Sequence, residues 1–159
     1  MNSSGADEYI SEIVSEYSQT LFKVAYTVLH SAADAEDIVQ EVFIKLIRTD
    51  KQFNDKEHEK AWLIRVTINI SRNLRKKLAK SELTNELPEK KAQEQSEIIN
   101  AVMELPEKYR TIIHLYYYEG YSIKGIANIL HIPTATAGTR LARGRSVLKD
   151  KLTGDDYID

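Results

Sequence analysis

The chain is expected to be all-α, with two small helical domains joined by a flexible linker and a helix-turn-helix in the second. Three observations predict this. Apolar residues recur at the i, i+3 and i+4 steps of amphipathic helices through most of the sequence. Only 3 prolines and 6 glycines occur in 159 residues, too few for the tight turns of a sheet-rich protein. Residues 81–95 lose the period, are polar and include Pro88, so they read as a linker between domains at 6–80 and 96–153. As a flexible coil, such a segment would span roughly 20 Å root-mean-square.

Each helix has its own signal. Ile10, Ile13, Val14, Tyr17, Leu21, Val24, Ala25 and Val28 follow helical spacing, as one long helix or as two with a break near Ser18. A second helix, from about 33 to 48, carries Ile38, Val39, Val42, Phe43, Leu46 and Ile47 on one face. Asp37, Gln40, Glu41 and Arg48 lie on its opposite, solvent-facing side. Residues 49–59 carry no period and read as a loop. From 60 to 80 the spacing returns, with Trp62, Val66, Ile70, Leu74 and Leu78 as a packed stripe in which Trp62 is read as core. Arg65, Asn69, Arg72 and Lys76, at i, i+4, i+7 and i+11, make a basic stripe on the same helix.

After the linker, Ile98, Ile99, Val102 and Met103 mark a helix. Leu105-Pro106-Glu107 ends it and opens the next, with proline near the first helical position. Tyr109, Ile112, Ile113, Tyr116 and Tyr117 supply that helix with an apolar stripe, its tyrosines read as core filler, and Gly120 is placed to end it. Ser122 caps a short helix containing Ile126, Ala127 and Leu130. Beyond the turn His131-Ile132-Pro133, a last helix runs from about 134 to 152. Ala137, Leu141, Leu148 and Leu152 point inward there, and Thr136, Thr139, Arg140 and Arg143 outward. A short helix, a tight turn and a longer basic helix form a helix-turn-helix candidate.

The net charge of -2 averages over opposed segments. Asp7, Glu8, Glu12, Glu16, Asp34, Glu36, Asp37 and Glu41 make the N-terminal quarter acidic. Lys60, Arg65, Arg72, Arg75, Lys76, Lys77 and Lys80 make one helix basic, and Lys124, Arg140, Arg143, Arg145, Lys149 and Lys151 repeat this near the C-terminus. Two basic helices suggest two contacts with a polyanion, and the acidic surface a different partner. No cysteine occurs, which excludes disulfides and thiolate metal sites. No apolar run approaches the roughly 18 residues of a membrane span, and the N-terminus lacks a signal-peptide pattern, so membrane insertion is not expected and the cytoplasm is the default location. His30, His58, His114 and His131 are scattered, without metal-ligand spacing or a phosphate-cradling glycine loop. No cofactor, metal or catalytic residue is expected.

Three separated segments resemble one family in the right order. Residues 34–43, Asp-Ala-Glu-Asp-Ile-Val-Gln-Glu-Val-Phe, closely resemble the polymerase-binding helix of bacterial sigma factors. Ala61-Trp62-Leu63-Ile64-Arg65-Val66-Thr67-Ile68-Asn69, followed by Arg75, is similar to the helix that melts promoters and reads the minus-ten element. Leu105-Pro106, Tyr109-Arg110 and Tyr121-Ser122 through Arg145 resemble the minus-35-reading helix-turn-helix. The short length and the direct join between the two blocks point to the extracytoplasmic-function (ECF) class of the sigma-70 family.

The resemblance implies a subunit that directs core RNA polymerase to specific promoters and does no covalent chemistry itself. Asp34, Asp37, Gln40 and Glu41 would meet the basic coiled coil of the largest polymerase subunit, and the second domain the polymerase flap. Residues 49–55, with Asn54, would receive a base flipped from the minus-ten element. Arg65, Asn69, Arg72, Arg75 and Lys76 would hold the non-template strand, Asn69 as base reader. Thr134, Thr136, Thr139, Arg140 and Arg143 would contact minus-35 DNA, the arginines as phosphate anchors first. An anti-sigma factor is a further partner that the family allows. The rival reading is a helix-turn-helix regulator that never enters polymerase, which leaves the first two segments as coincidence.

The sequence also departs from the family pattern. Gly125 stands where a glutamate completes a capping box, His131 where glycine is frequent, and Gly138 where a basic residue is frequent. Gly138 removes a phosphate contact and, with Gly144, leaves the last helix intrinsically weak, so weak or unusual minus-35 binding by the second domain alone is expected.

Overall fold

The computed structural model describes residues 3–81 and 96–156, and every regular element among them is helical. The rest of the expected linker, 82–95, lies outside the described residues. The chain separates into two compact units, residues 1–86 and 87–159.

In the first unit, α1 (Ser3–Leu29), α2 (Ala32–Thr49) and α3 (Lys56–Lys80) pack pairwise on one another. Leu21, Val24 and Val28 of α1, Ile38 and Val42 of α2, and Leu63, Ile64 and Ile68 of α3 form its core. α1 is one continuous helix. Ser18 does not break it; its hydroxyl is satisfied within the helix, donating to the Val14 carbonyl one turn back. His30, at φ 56, turns the chain, and Ser31 caps α2 by accepting from the Asp34 N–H. Asp50, also left-handed, ends α2.

α3 starts earlier than its apolar period suggests, at Lys56, because the Asp55 carboxylate caps it by accepting from the His58 N–H. Its core face also differs from the expected stripe. Of Trp62, Val66, Ile70, Leu74 and Leu78 only Val66 is buried; the packed face is Leu63, Ile64, Thr67, Ile68 and Ser71. A row of residues four apart drifts about 40° per step around a helix. A helix wedged between two others buries a wide arc, which such a row crosses only once.

Glu59 is an ionisable side chain inside this unit, only 7% exposed. Its carboxylate accepts from the Tyr9 hydroxyl at 2.7 Å and, more loosely, from Tyr17 at 3.4 Å. Burial above all, then the Glu59 hydrogen bond and charge, raise the Tyr9 pKa above the ordinary phenol value. Burial, followed by the charges of Glu16 and Glu59, pushes Tyr17 up to about 12. Folding therefore favours the neutral phenols. The stabilisation is complete below the unfolded pKa of about 10; the Tyr17 share is lost as pH rises through about 12, and the Tyr9 share at still higher pH. Urea titrations at increasing pH should show stability falling across that window, with a shallower fall in Tyr17→Phe. An unchanged slope would refute the assignment.

The second unit contains α4 (Glu97–Met103), α5 (Glu107–Ile113), α6 (Ile123–Leu130) and α7 (Thr134–Asp156). Pro106 opens α5 as anticipated. The buried Arg110 closes the preceding turn by donating from Nη1 to the Leu105 carbonyl at 2.8 Å. α5 widens at its end into a π turn, His114–Tyr118, whose Glu119 N–H reaches back five residues to the His114 carbonyl. Gly120 follows at φ +79, a conformation suited to glycine. Ile98 and Ile99 are exposed rather than core, because α4 turns Ala101 and Met103 inward. Of the tyrosines read as core filler, Tyr117 is exposed and Tyr109 and Tyr116 are half-buried, so none is fully in the core; Tyr118 is exposed as well. Leu105, Ile112, Leu115, Ile126, Ile129, Ala137 and Leu141 form the core, with Leu148 and Leu152 half-buried.

Candidate functional site

The helix packing of the first unit presents two chemically different surfaces. On α2, Asp37, Gln40, Glu41 and Arg48 are all exposed and Asp34, in the first turn, is half-buried. Two isoleucines join them. Ile44 is 46% exposed and Ile47 56%. Ile44 stands four residues after Gln40 and three after Glu41, so it belongs to the same ridge. Helical spacing alone places Ile47 in the core, but it lies about 100° around the helix from the buried Leu46. The signal for Ile44 was available in the sequence, since it falls off the Val39–Val42–Leu46 face.

On α3, Asn69, Arg75 and Lys76 are exposed, and Arg65 and Arg72 half-buried. Arg65, Asn69, Arg72 and Lys76 fall within about 60° of one another on a regular helix, with Arg75 about 60° beyond Arg72. No acid occurs from 60 to 80, so the helix itself supplies no negative charge to this basic side. The loop before the helix is tied to its start. The Asn54 N–H donates to His58 Nδ1 at 3.2 Å, leaving the exposed Asn54 side chain outside that bond. The Phe53 ring packs against His58 edge-on at 5.4 Å and against Trp62 at 5.6 Å. Trp62 is half-buried beside the loop rather than core. The aromatic group Phe53–His58–Trp62 escaped sequence reasoning, because 49–59 has no period to signal it.

In the second unit, Ser122 accepts from the Gly125 N–H at 3.0 Å, so the cap survives without a side chain at 125. A Cβ on Gly125 would sit 3.3 Å from both Ser122 Oγ and the Tyr121 ring. His131 ends α6 in the left-handed conformation, φ 56, that glycine adopts without strain. From α7, Thr134, Thr139 and Arg143 are exposed, and Thr136 and Arg140 half-buried. Thr136, Thr139, Arg140 and Arg143 share one side, with Thr134 round the first turn from them. The two glycines of α7 differ. A Cβ at Gly138 would meet only Ile123, at 4.0 Å, whereas one at Gly144 would press on Ile113 at 3.2 Å and Tyr109 at 3.3 Å. Gly144 is therefore a close-approach residue between α5 and α7, not simply a weak point. Further along, the Arg145 guanidinium stands over the Tyr116 and Tyr117 rings at 5.5 and 5.7 Å.

Among the described residues there is no cluster of metal-ligating side chains and no helix long and apolar enough to cross a membrane.

Residues 13–81 match the family model for Sigma-70 region 2, and residues 95–148 that for Sigma-70, region 4. The ECF RNA polymerase sigma factor SigW of Bacillus subtilis is 30% identical, over 93% of this chain and 91% of its own length. The RNA polymerase sigma factor SigV of the same organism is 29% identical over 90% of each. In fold, the chain is similar to the sigma factor RpoE from Bartonella quintana, solved in complex with the anti-sigma factor NepR. The TM-score is 0.72 at 22% identity, covering 90% of this chain and 96% of that one.

Proposed function

This chain belongs to the ECF class of sigma-70 RNA polymerase sigma factors, and we propose that it does the family's work through three separate surfaces. The α2 ridge docks on core polymerase, the α3 side with its preceding loop takes the minus-ten element, and the outward side of α7 takes the minus-35 element. The observation that carries this reading is the α2 ridge. It sets two half-exposed isoleucines along an acidic face, and apolar centres within polar rims are common in protein interfaces. Asp37 and Glu41 would pair with basic side chains, Ile44 and Ile47 would be covered by their stems, and Asp34 would lie at the edge.

For DNA, Arg65, Arg72, Arg75 and Lys76 supply phosphate contacts along one strand, and Asn69 reads a base from among them. Asn54 and the Phe53–Trp62 aromatics offer a place for an unstacked base, which costs a few kcal/mol to extrude. Thr134, Thr136, Thr139, Arg140 and Arg143 anchor the reading helix. Replacing Arg140 and Arg143 together by alanine should lower the log–log salt slope of promoter-duplex binding by roughly 2, about 0.9 for each phosphate that is no longer neutralised. Fluorescence anisotropy across a salt series measures it, and an unchanged slope would remove both residues from the phosphate-binding set. Loss of a base-sequence preference with no slope change would make them base readers instead.

The chain performs no covalent chemistry in this reading, needs no cofactor and works in the cytoplasm with core polymerase. By extension from the RpoE complex, an anti-sigma factor is the class of protein expected to occlude these surfaces. In-vitro transcription with core polymerase on a randomised promoter library tests the whole proposal. Enrichment of start sites at one promoter class supports it; transcription indistinguishable from core alone refutes it.

A further inference from the structure

Glu59 is buried where an apolar residue would pack against α1 at lower cost, since a carboxylate removed from water loses several kcal/mol of solvation unless it is bonded. Here it is bonded by two phenol hydroxyls, at 2.7 and 3.4 Å, from residues 50 and 42 positions earlier. It also lies in the first turns of α3, where the helix dipole favours negative charge. What the carboxylate adds over an apolar side chain is direction. Apolar packing tolerates small rotations of a helix end, whereas a charge-assisted hydrogen bond fixes distance and angle.

That fixed point is wired to the loop before α3. The Glu59 N–H donates to the Asp55 carbonyl at 3.1 Å. The Asp55 carboxylate accepts from the His58 N–H at 2.8 Å, and His58 Nδ1 accepts from the Asn54 N–H at 3.2 Å. Phe53 then rests on His58 and Trp62. Residues 53, 54 and 55 therefore take their positions from the first two turns of α3. A second link to α1, the Lys56–Glu16 ion pair at 3.2 Å, is solvent-exposed on both sides and contributes little.

The geometry points to Glu59, with Tyr9 and Tyr17, as the positioning group that sets the loop at 50–55 for its base. The inference rests on the proposal above that this loop receives an unstacked base. Glu59 itself touches no DNA. It acts by holding the helix start that holds the loop.

The test uses the full chain assembled with core polymerase and a fork-junction DNA selected by the wild-type holoenzyme from a random single-stranded library. Tyr9→Phe/Tyr17→Phe, which removes only two oxygens, and Glu59→Leu should each weaken fork-DNA binding about tenfold while leaving core-polymerase affinity unchanged. Glu59→Gln, which keeps an acceptor for the phenols, should stay within about twofold of wild type. Hydrogen exchange on the free chain should show faster exchange of the Asn54 and His58 amides in the first two variants, with the α2 core still protected. Phe53→Ala and Asn54→Ala separate the two claims. If these leave fork binding unchanged, the loop is not the base receptor. If they weaken binding while Glu59→Leu and the double phenylalanine variant match wild type, the loop reading stands and the positioning role of Glu59 is overturned.

Discussion

A chain carrying Asp37→Lys and Glu41→Lys should fold as the wild type does and lose core-polymerase affinity by at least about a hundredfold. Both side chains are exposed, and surface substitutions of this kind usually leave stability within about 0.5 kcal/mol. At an interface with basic side chains the same reversals turn attraction into repulsion. Truncating one partner of a buried charge pair costs roughly 2–5 kcal/mol, so two reversals exceed the hundredfold mark. Biolayer interferometry with core polymerase gives the affinity and circular dichroism the fold. Normal binding by a folded variant would end the polymerase-docking assignment of α2. Ile44→Ser should weaken binding as well, by about tenfold, since it strips the apolar centre of the same ridge.

The second large effect concerns α7. Gly144→Leu should destabilise the second unit by about 2 kcal/mol or more, because overpacking a tight helix contact costs roughly 1–3 kcal/mol. Its Cβ alone would press within 3.3 Å of Tyr109 Cβ, an atom fixed to the α5 backbone. Gly138→Ala should go the other way. With only Ile123 nearby, at 4.0 Å, the added methyl gains the helix-propensity difference of about 1 kcal/mol. Urea unfolding of the full chain, followed by tyrosine fluorescence, separates these outcomes. A Gly144→Leu variant as stable as wild type would remove the close-approach account. The two glycines look alike in sequence, where both read as weak points of one helix.

That contrast marks where sequence reading stops. Helix existence, the Ser122 cap and the side of each helix that carries charge were legible, since each follows from local spacing, whereas the Ser31 and Asp55 caps emerged only with the structure. The burial of individual side chains was less so. Ile47, Ile98 and Ile99 are apolar and at helical steps, yet they face outward, because only the placement of neighbouring helices decides which part of an apolar arc is covered. Trp62 supports the loop instead of filling the core for the same reason. Of the candidate site, Asp37, Gln40 and Glu41 fall together on one exposed ridge as expected, and Arg65, Asn69, Arg72 and Lys76 share one side of α3. Their roles as contacts follow from the proposal, not from the helix geometry.

By itself the sequence determined an all-helical chain with an acidic helix, a basic helix and a helix-turn-helix, because amphipathic period and end-capping are properties of neighbours in the chain. Tertiary structure decided which isoleucines stay on the α2 surface, that Gly144 brings α5 and α7 close together, and that Glu59 meets Tyr9 and Tyr17. Those facts depend on residues 42 to 50 positions apart, or on different helices, coming within a few ångströms. No local pattern encodes such a distance; it exists only once helices have buried their apolar faces against one another.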